Sequence, residues 1–243
     1  MSIYSTICEK LKHGPLHFTL IDPAFDHKRN IEIVKQAEKA GTDVILVGGS
    51  YNTITTDEMI KKVKEVTKLP VIISPSNVHD VSASADAILY YSMLNSRNPY
   101  YISQVQALSS LTIKALNLEP ISVGYIVFEP GMTAGFVGDA NLIRRDKPEL
   151  ALGYALSAQY SGYKMVYFEA GSGADKHVPV EAIKLTKKYL NIPLIVGGGI
   201  RTPEAARQIV EAGADIIVTG ALVERTENVL EAIKSVVSAI KTI

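Results

Sequence analysis

Glycines beside acids and hydroxyls are the densest chemical signal in this sequence. Gly197, Gly198 and Gly199 follow a short apolar run, and Thr219, Gly220 and Ala221 follow another. Glycine lets backbone N–H groups approach a ligand closely, which suits an anion. After the triplet, Thr202 suits a helix N-cap and Pro203 the first helical position. Such a turn feeding a helix start is a phosphate cradle, although a lone glycine triplet also serves as a tight turn. Glu169-Ala-Gly-Ser-Gly173 adds a carboxylate, a hydroxyl and two more glycines. A carboxylate repels phosphate, so its use lies on the hydroxyls of the same ligand, or as a base; a solvated loop glutamate is the plain alternative. Tyr167 shares the strand face of Glu169 by two-residue periodicity. Asp22, before Pro23, and Ser50, after two glycines, form a second acidic and hydroxylic pair. One carboxylate with hydroxyl and water oxygens suits Mg²⁺, which keeps several waters; both residue types also cap helices. The five histidines show no zinc-ligand spacing, and His17 reads as a strand residue with a satisfied side chain.

These groups need a scaffold. Short continuous apolar runs at 17–21, 44–47, 71–73, 87–90, 124–128, 165–168, 194–196 and 216–218 read as parallel strands buried on both faces. Amphipathic stretches at 29–40, 56–67, 100–115, 148–160, 179–189 and 203–212 read as helices. Repeated strand–helix alternation predicts an α/β fold, a single (β/α)8 TIM barrel over residues 1–243. An internal echo supports closure: AGTDVILVG at 40–48 resembles AGADIIVTG at 212–220. An open doubly wound sheet lacks its GxGxxG fingerprint here. Residues 74–86, with Pro75, Asn77 and several serines, are too few and too polar for a crossover helix. A loop is expected in place of the third outer helix, leaving an opening in the wall. In such a barrel the site lies at the C-terminal strand ends, where all the groups above fall.

Composition narrows the class. The 243 residues carry 25 Lys plus Arg against 25 Asp plus Glu, which weighs against a basic nucleic-acid binder. The single cysteine, Cys8, forms no internal disulfide, so a reducing, cytoplasmic setting is expected. No apolar run approaches the roughly 20 residues of a membrane span. The N-terminal stretch has no apolar segment of a secretory signal.

Seven segments together carry a family resemblance: FTLIDP (18–23), GTDVILVGGS (41–50), YSMLNSRNP (91–99), GYIVFEPG (124–131), KPE (147–149), YFEAGSG (167–173) and GGGIR (197–201). The chain resembles the geranylgeranylglyceryl phosphate synthase family nearly end to end. That resemblance implies a modified TIM barrel lacking its third helix. It also implies a prenyltransferase that alkylates the terminal hydroxyl of sn-glycerol 1-phosphate with geranylgeranyl diphosphate, releasing pyrophosphate. Asp22 and Ser50 would hold Mg²⁺ on the diphosphate. Tyr167, Phe168, Glu169, Ala170, Gly171, Ser172 and Gly173 would bind glycerol phosphate, with Glu169 on its hydroxyls. Gly198, Gly199, Gly220 and Ala221 would cradle its phosphate. Ala221 stands where members often carry Asn, so a backbone contact survives there and a side-chain contact does not. Family likeness also suggests a homo-oligomer, and a lipid donor and product suggest peripheral membrane association. A longer donor such as heptaprenyl diphosphate, a sugar-phosphate isomerase or epimerase, and a non-catalytic phosphate binder are the alternatives.

Overall fold

The computed structural model describes residues 2–49 and 56–242. Among them run β1 (Leu16–Ile21), β2 (Val44–Val47), β3 (Val71–Ile73), β4 (Ala87–Met93), β5 (Glu119–Val127), β6 (Met165–Glu169), β7 (Leu194–Gly197) and β8 (Ile216–Thr219). Each pairs in parallel with its sequence neighbour, and β8 returns to β1, so the sheet closes into a barrel. The strands match the apolar runs because both of their faces are buried. Phe18, Leu46, Ile72, Leu89, Val123 and Ile195 fill the barrel interior. Their neighbours Ile45, Val47 and Val196 face outward against helices. A two-residue period thus supplies both cores.

The outer helices are α2 (His27–Ala40), α3 (Thr56–Val66), α4 (Val105–Ala115), α6 (Pro148–Tyr160), α7 (Val180–Lys187), α8 (Pro203–Glu211) and α10 (Val229–Lys241), with the short α5 (Met132–Val137) and α9 (Ala221–Arg225) between them. A π-helical turn at Tyr100–Gln104 leads into α4. Local chemistry sets the ends: Asp26 caps α2, Gly41 ends it at φ 91°, and Thr202 caps α8 ahead of Pro203. Sequence periodicity did not mark the first helix, α1 (Ile3–Leu11). Glu119, at the start of β5, accepts the Ile3 and Tyr4 N–H groups at 2.6 and 3.0 Å. Ile7 packs beneath the interior beside Leu16 and Ile216. The helix therefore stoppers the N-terminal end of the barrel.

No helix separates β3 from β4; residues 74–86 form turns and bends, as expected from their composition. Asp80 organises them. Its carboxylate accepts the Thr56 hydroxyl at 2.8 Å, the Ser76 N–H and hydroxyl at 2.7 and 2.8 Å, and the Asn77 N–H at 3.2 Å. Ser82 donates to Asp57 at 2.6 Å. Side-chain hydrogen bonds to the start of α3 thus hold a segment that has no helical ladder of its own. Among the described residues, no helix is long and apolar enough to cross a membrane.

Candidate active site

A cavity of about 390 Å³ opens at the C-terminal strand ends. On one side it meets Tyr167, Glu169, Ser172, Gly198 and Gly220; on the other, Asp22, Gly48 and Gly49. It then passes beside the helix-free segment to Val81, Ile88, Tyr90, Val105 and Ser109. Ile88 and Tyr90 belong to the outward face of β4, so the cavity crosses the barrel wall where the outer helix is missing. A polar chamber and an apolar trough form one space.

Glu169 ends β6 and is 7% exposed. Its Oε1 accepts the Gly171 N–H at 2.6 Å, and the Tyr167 and Tyr125 hydroxyls donate to the carboxylate. Burial pushes its pKa up to about 7, against the opposing pull of those three donors. Burial and the Glu169 charge in turn push the Tyr125 and Tyr167 hydroxyls well above their ordinary value, so both stay protonated donors. Tyr125 and Tyr167 are directly in register on β5 and β6. With Tyr91 they form a ring cluster, centroids 4.8 to 6.1 Å apart. The Tyr91 hydroxyl lies 3.0 Å from the Ser74 hydroxyl. The register of β5 against β6 joins Tyr125 to Tyr167 and Glu169, and that of β4 against β5 brings Tyr91 alongside.

The side chains of the run 167–173 divide between the cavity and the outer core. The Phe168 side chain lies on the opposite face of β6, fully buried with its ring centroid 5.0 Å from that of Phe128. The Ala170 side chain is buried in the same outer core. Its N–H donates to Gly197 O and its carbonyl accepts from Gly131. The Gly171 amide is taken by Glu169. Tyr167, Glu169, Ser172 and Gly173 remain as lining. Beside them, Gly198 and Gly199 adopt φ 79° and 70°. A Cβ at Gly198 would collide with Glu169 Oε1, and one at Gly199 with the backbone at Lys176 and His177. Glycine there is required twice over, by dihedral and by space. Arg201, quoted above only within its motif, also lines the cavity. It donates to Gly173 O at 2.7 Å, tying the turn after β7 to the turn after β6.

Across the cavity, Asp22 Oδ1 accepts the Ala24 N–H at 2.9 Å, and Asn30 holds the Asp22 carbonyl at 2.8 Å. The carboxylate lies against Gly49 so closely that a Cβ there would collide with it. Burial raises its pKa, the Ala24 N–H opposes this, and the Asp80 charge adds to the rise. Ser50, its expected partner, lies outside the described residues. Among the described residues, no group of three His, Cys, Asp or Glu is placed to hold a metal ion, so an all-protein cage does not fit. A half-shell does fit: one carboxylate on the cavity wall, with substrate oxygens and water completing an octahedron.

A model of the PcrB family matches residues 7–239. The chain belongs to the PcrB family. It is 49% identical over 219 residues to the geranylgeranylglyceryl phosphate synthase of Methanosphaera stadtmanae, covering 88% of this chain and 89% of that one. It superposes with a TM-score of 0.97, at 46% identity and full coverage of both chains, on (S)-3-O-geranylgeranylglyceryl phosphate synthase from Thermoplasma acidophilum in complex with sn-glycerol-1-phosphate. An N-acetylmannosamine-6-phosphate 2-epimerase from Clostridium perfringens, at 17% identity and a TM-score of 0.56, shares the fold alone.

The raised Glu169 pKa has a stability consequence. The unfolded carboxyl releases its proton near the ordinary 4.5, the folded one near 7, so the folded state binds more protons between those values. Stability from this group is full below 4.5 and is lost as pH rises through 7. Glu169→Gln should therefore gain in Tm relative to the unsubstituted protein on going from pH 5 to pH 8. Thermal melts across that range check it; a constant difference contradicts it.

Proposed function

We propose that this chain is a prenyltransferase that alkylates the terminal hydroxyl of sn-glycerol 1-phosphate with geranylgeranyl diphosphate, releasing pyrophosphate. The single observation that carries the reading is the continuous cavity, with Glu169 and the glycine turns at one end and an apolar trough through the barrel wall at the other. The nature of its close relatives agrees with it.

The phosphate of the acceptor takes backbone N–H groups at Gly198, Gly199, Gly220 and Ala221. Its hydroxyls face Ser172 and Glu169, and the ionised Glu169 carboxylate accepts a hydrogen bond from the attacking hydroxyl. The allylic C–O bond to the diphosphate breaks, the ether C–O bond forms, and the hydroxyl proton passes to Glu169 or to water. The Tyr91, Tyr125 and Tyr167 rings exclude bulk water from the allylic carbon, protecting it from hydrolysis. Asp22, with Ser50, would hold Mg²⁺, whose chemistry is to neutralise charge on the departing pyrophosphate. The prenyl chain lies along Val81, Ile88 and Val105.

Incubation of purified protein with Mg²⁺, sn-glycerol 1-phosphate and prenyl diphosphates of graded length tests the reading. A geranylgeranyl ether should form fastest. A heptaprenyl preference would replace the donor, and no ether from any donor would overturn the activity. A cytoplasmic location with transient membrane contact during lipid exchange belongs to the same proposal. So does self-association; Leu108 and Leu111 on α4, 65% and 81% exposed, offer apolar outer-helix surface for a second copy.

A further inference from the structure

His17 is fully buried on the outward face of β1, at the seam where β8 closes the barrel. Nearby outward positions, such as Ile45, Val47 and Ile217, are aliphatic, and an aliphatic side chain would pack this site as well. A polar network stands there instead. His17 Nδ1 lies 2.9 Å from the Thr42 hydroxyl, and Nε2 lies 2.9 Å from the Thr219 hydroxyl. The Thr42 hydroxyl donates to the His17 carbonyl at 2.9 Å and accepts from Thr19 at 3.0 Å. Its one proton is thereby spent, so Nδ1 must donate to it. Nε2 is then bare and accepts the Thr219 proton. The base of the network is anchored by Asp43, which accepts the His17 N–H at 3.1 Å and pairs with Lys241 of α10 at 2.9 Å and Lys10 of α1 at 3.4 Å. Burial pushes the imidazole down to about 4, with the Asp43 charge opposing and Lys241 assisting, so the ring is neutral, as one donor and one acceptor nitrogen require.

Thr219 is the last residue of β8 and precedes Gly220, whose backbone turns the chain into α9 beside the cavity. Fixing the Thr219 side chain on a buried imidazole that Thr42 holds from its other side restricts the peptide that presents the Gly220 amide. We infer that His17 is a positioning residue for the acceptor phosphate, acting through the Thr219 hydroxyl on the turn at Gly220. This rests on the phosphate site proposed above. A buried polar network costs more to build than apolar packing but gives direction, which apolar packing does not.

Calorimetric titration of sn-glycerol 1-phosphate and of inorganic phosphate into the unsubstituted protein, Thr219→Val and Thr219→Ser tests the inference. The Val variant keeps the shape and loses the hydroxyl; it should bind both ligands about tenfold more weakly, the loss of one net hydrogen bond. The Ser variant should stay close to the unsubstituted protein. In turnover, the KM for sn-glycerol 1-phosphate should rise in Thr219→Val while kcat at saturation holds. Equal binding by Thr219→Val, or an equal loss in Thr219→Ser, overturns the inference. Failure of the unsubstituted protein to bind either ligand instead overturns the phosphate site itself. If Thr219→Val does not fold, the ¹⁵N spectrum of the unsubstituted protein decides. His17, assigned by its loss in His17→Gln, should be the Nδ1–H tautomer, and its Nε2 resonance should move on saturation with sn-glycerol 1-phosphate. An Nε2–H tautomer, or an unmoved resonance, overturns it.

Discussion

Glu169→Gln should lower kcat/KM for the acceptor by on the order of a hundredfold or more, the usual worth of a positioned acid–base group. The substitution keeps the volume and one acceptor oxygen, so the Tyr125 and Tyr167 hydroxyls retain a partner while the negative charge disappears. Gly171 donates to Oε1, and an amide nitrogen in that place would leave its N–H facing another donor. The loss should therefore exceed that of a simple charge removal and should fall on both kcat and kcat/KM if the carboxylate takes the hydroxyl proton. If it only orients the hydroxyl, KM rises and kcat at saturation is kept. Steady-state kinetics with saturating donor separates the two outcomes. An unaltered kcat/KM would remove Glu169 from the mechanism. Thermal melts of the same variant at the assay pH separate lost activity from unfolding. Desolvation of this carboxylate is a stability cost located at the proposed site of chemistry.

Asp22→Ala should reduce turnover by roughly a thousandfold or more, the scale seen when charge stabilisation of a leaving group is removed, and should leave sn-glycerol 1-phosphate binding intact. The expectation follows from placement. Asp22 follows β1 on the side of the cavity lined by Gly48 and Gly49, whereas the proposed acceptor site lies at the ends of β6, β7 and β8. Removing its carboxylate also deletes an acceptor of the Ala24 N–H, an exposed bond whose loss costs about 1 kcal/mol or less. Folding should survive. Calorimetry with sn-glycerol 1-phosphate and a Mg²⁺ titration of turnover are the paired measurements. Acceptor binding should match the unsubstituted protein, and added Mg²⁺ should no longer restore the rate. Lost acceptor binding with retained turnover would reverse the division of the cavity into donor and acceptor halves.

Some of this arrangement was legible before any coordinates. The eight apolar runs became eight strands because burial on both faces leaves little freedom in composition. Thr202 and Pro203 marked a helix start through chemistry local to four residues. Residues 74–86 could be read as helix-free because their Pro, Asn and Ser content disfavours a helix in any context. In contrast, α1 went unmarked: its burial depends on the barrel floor and on the Glu119 carboxylate, 115 and more positions away in the chain. The alternation along β6 was legible too, from two-residue periodicity. A strand sends sequence neighbours to opposite faces, so Tyr167 and Glu169 reach the cavity while the Phe168 side chain packs against Phe128.

What the sequence by itself determined is the inventory: a barrel, glycines and carboxylates at its strand ends, and a family. These follow from short-range rules of periodicity, capping and motif spacing. The tertiary structure decided which of those groups share an environment. It placed Tyr125 and Tyr167 on Glu169 and raised that carboxyl to about 7 by burial. It also joined His17 to Thr219 across 202 positions of chain. Desolvation and long-range hydrogen bonding depend on distances between segments, and those exist only once the barrel has closed.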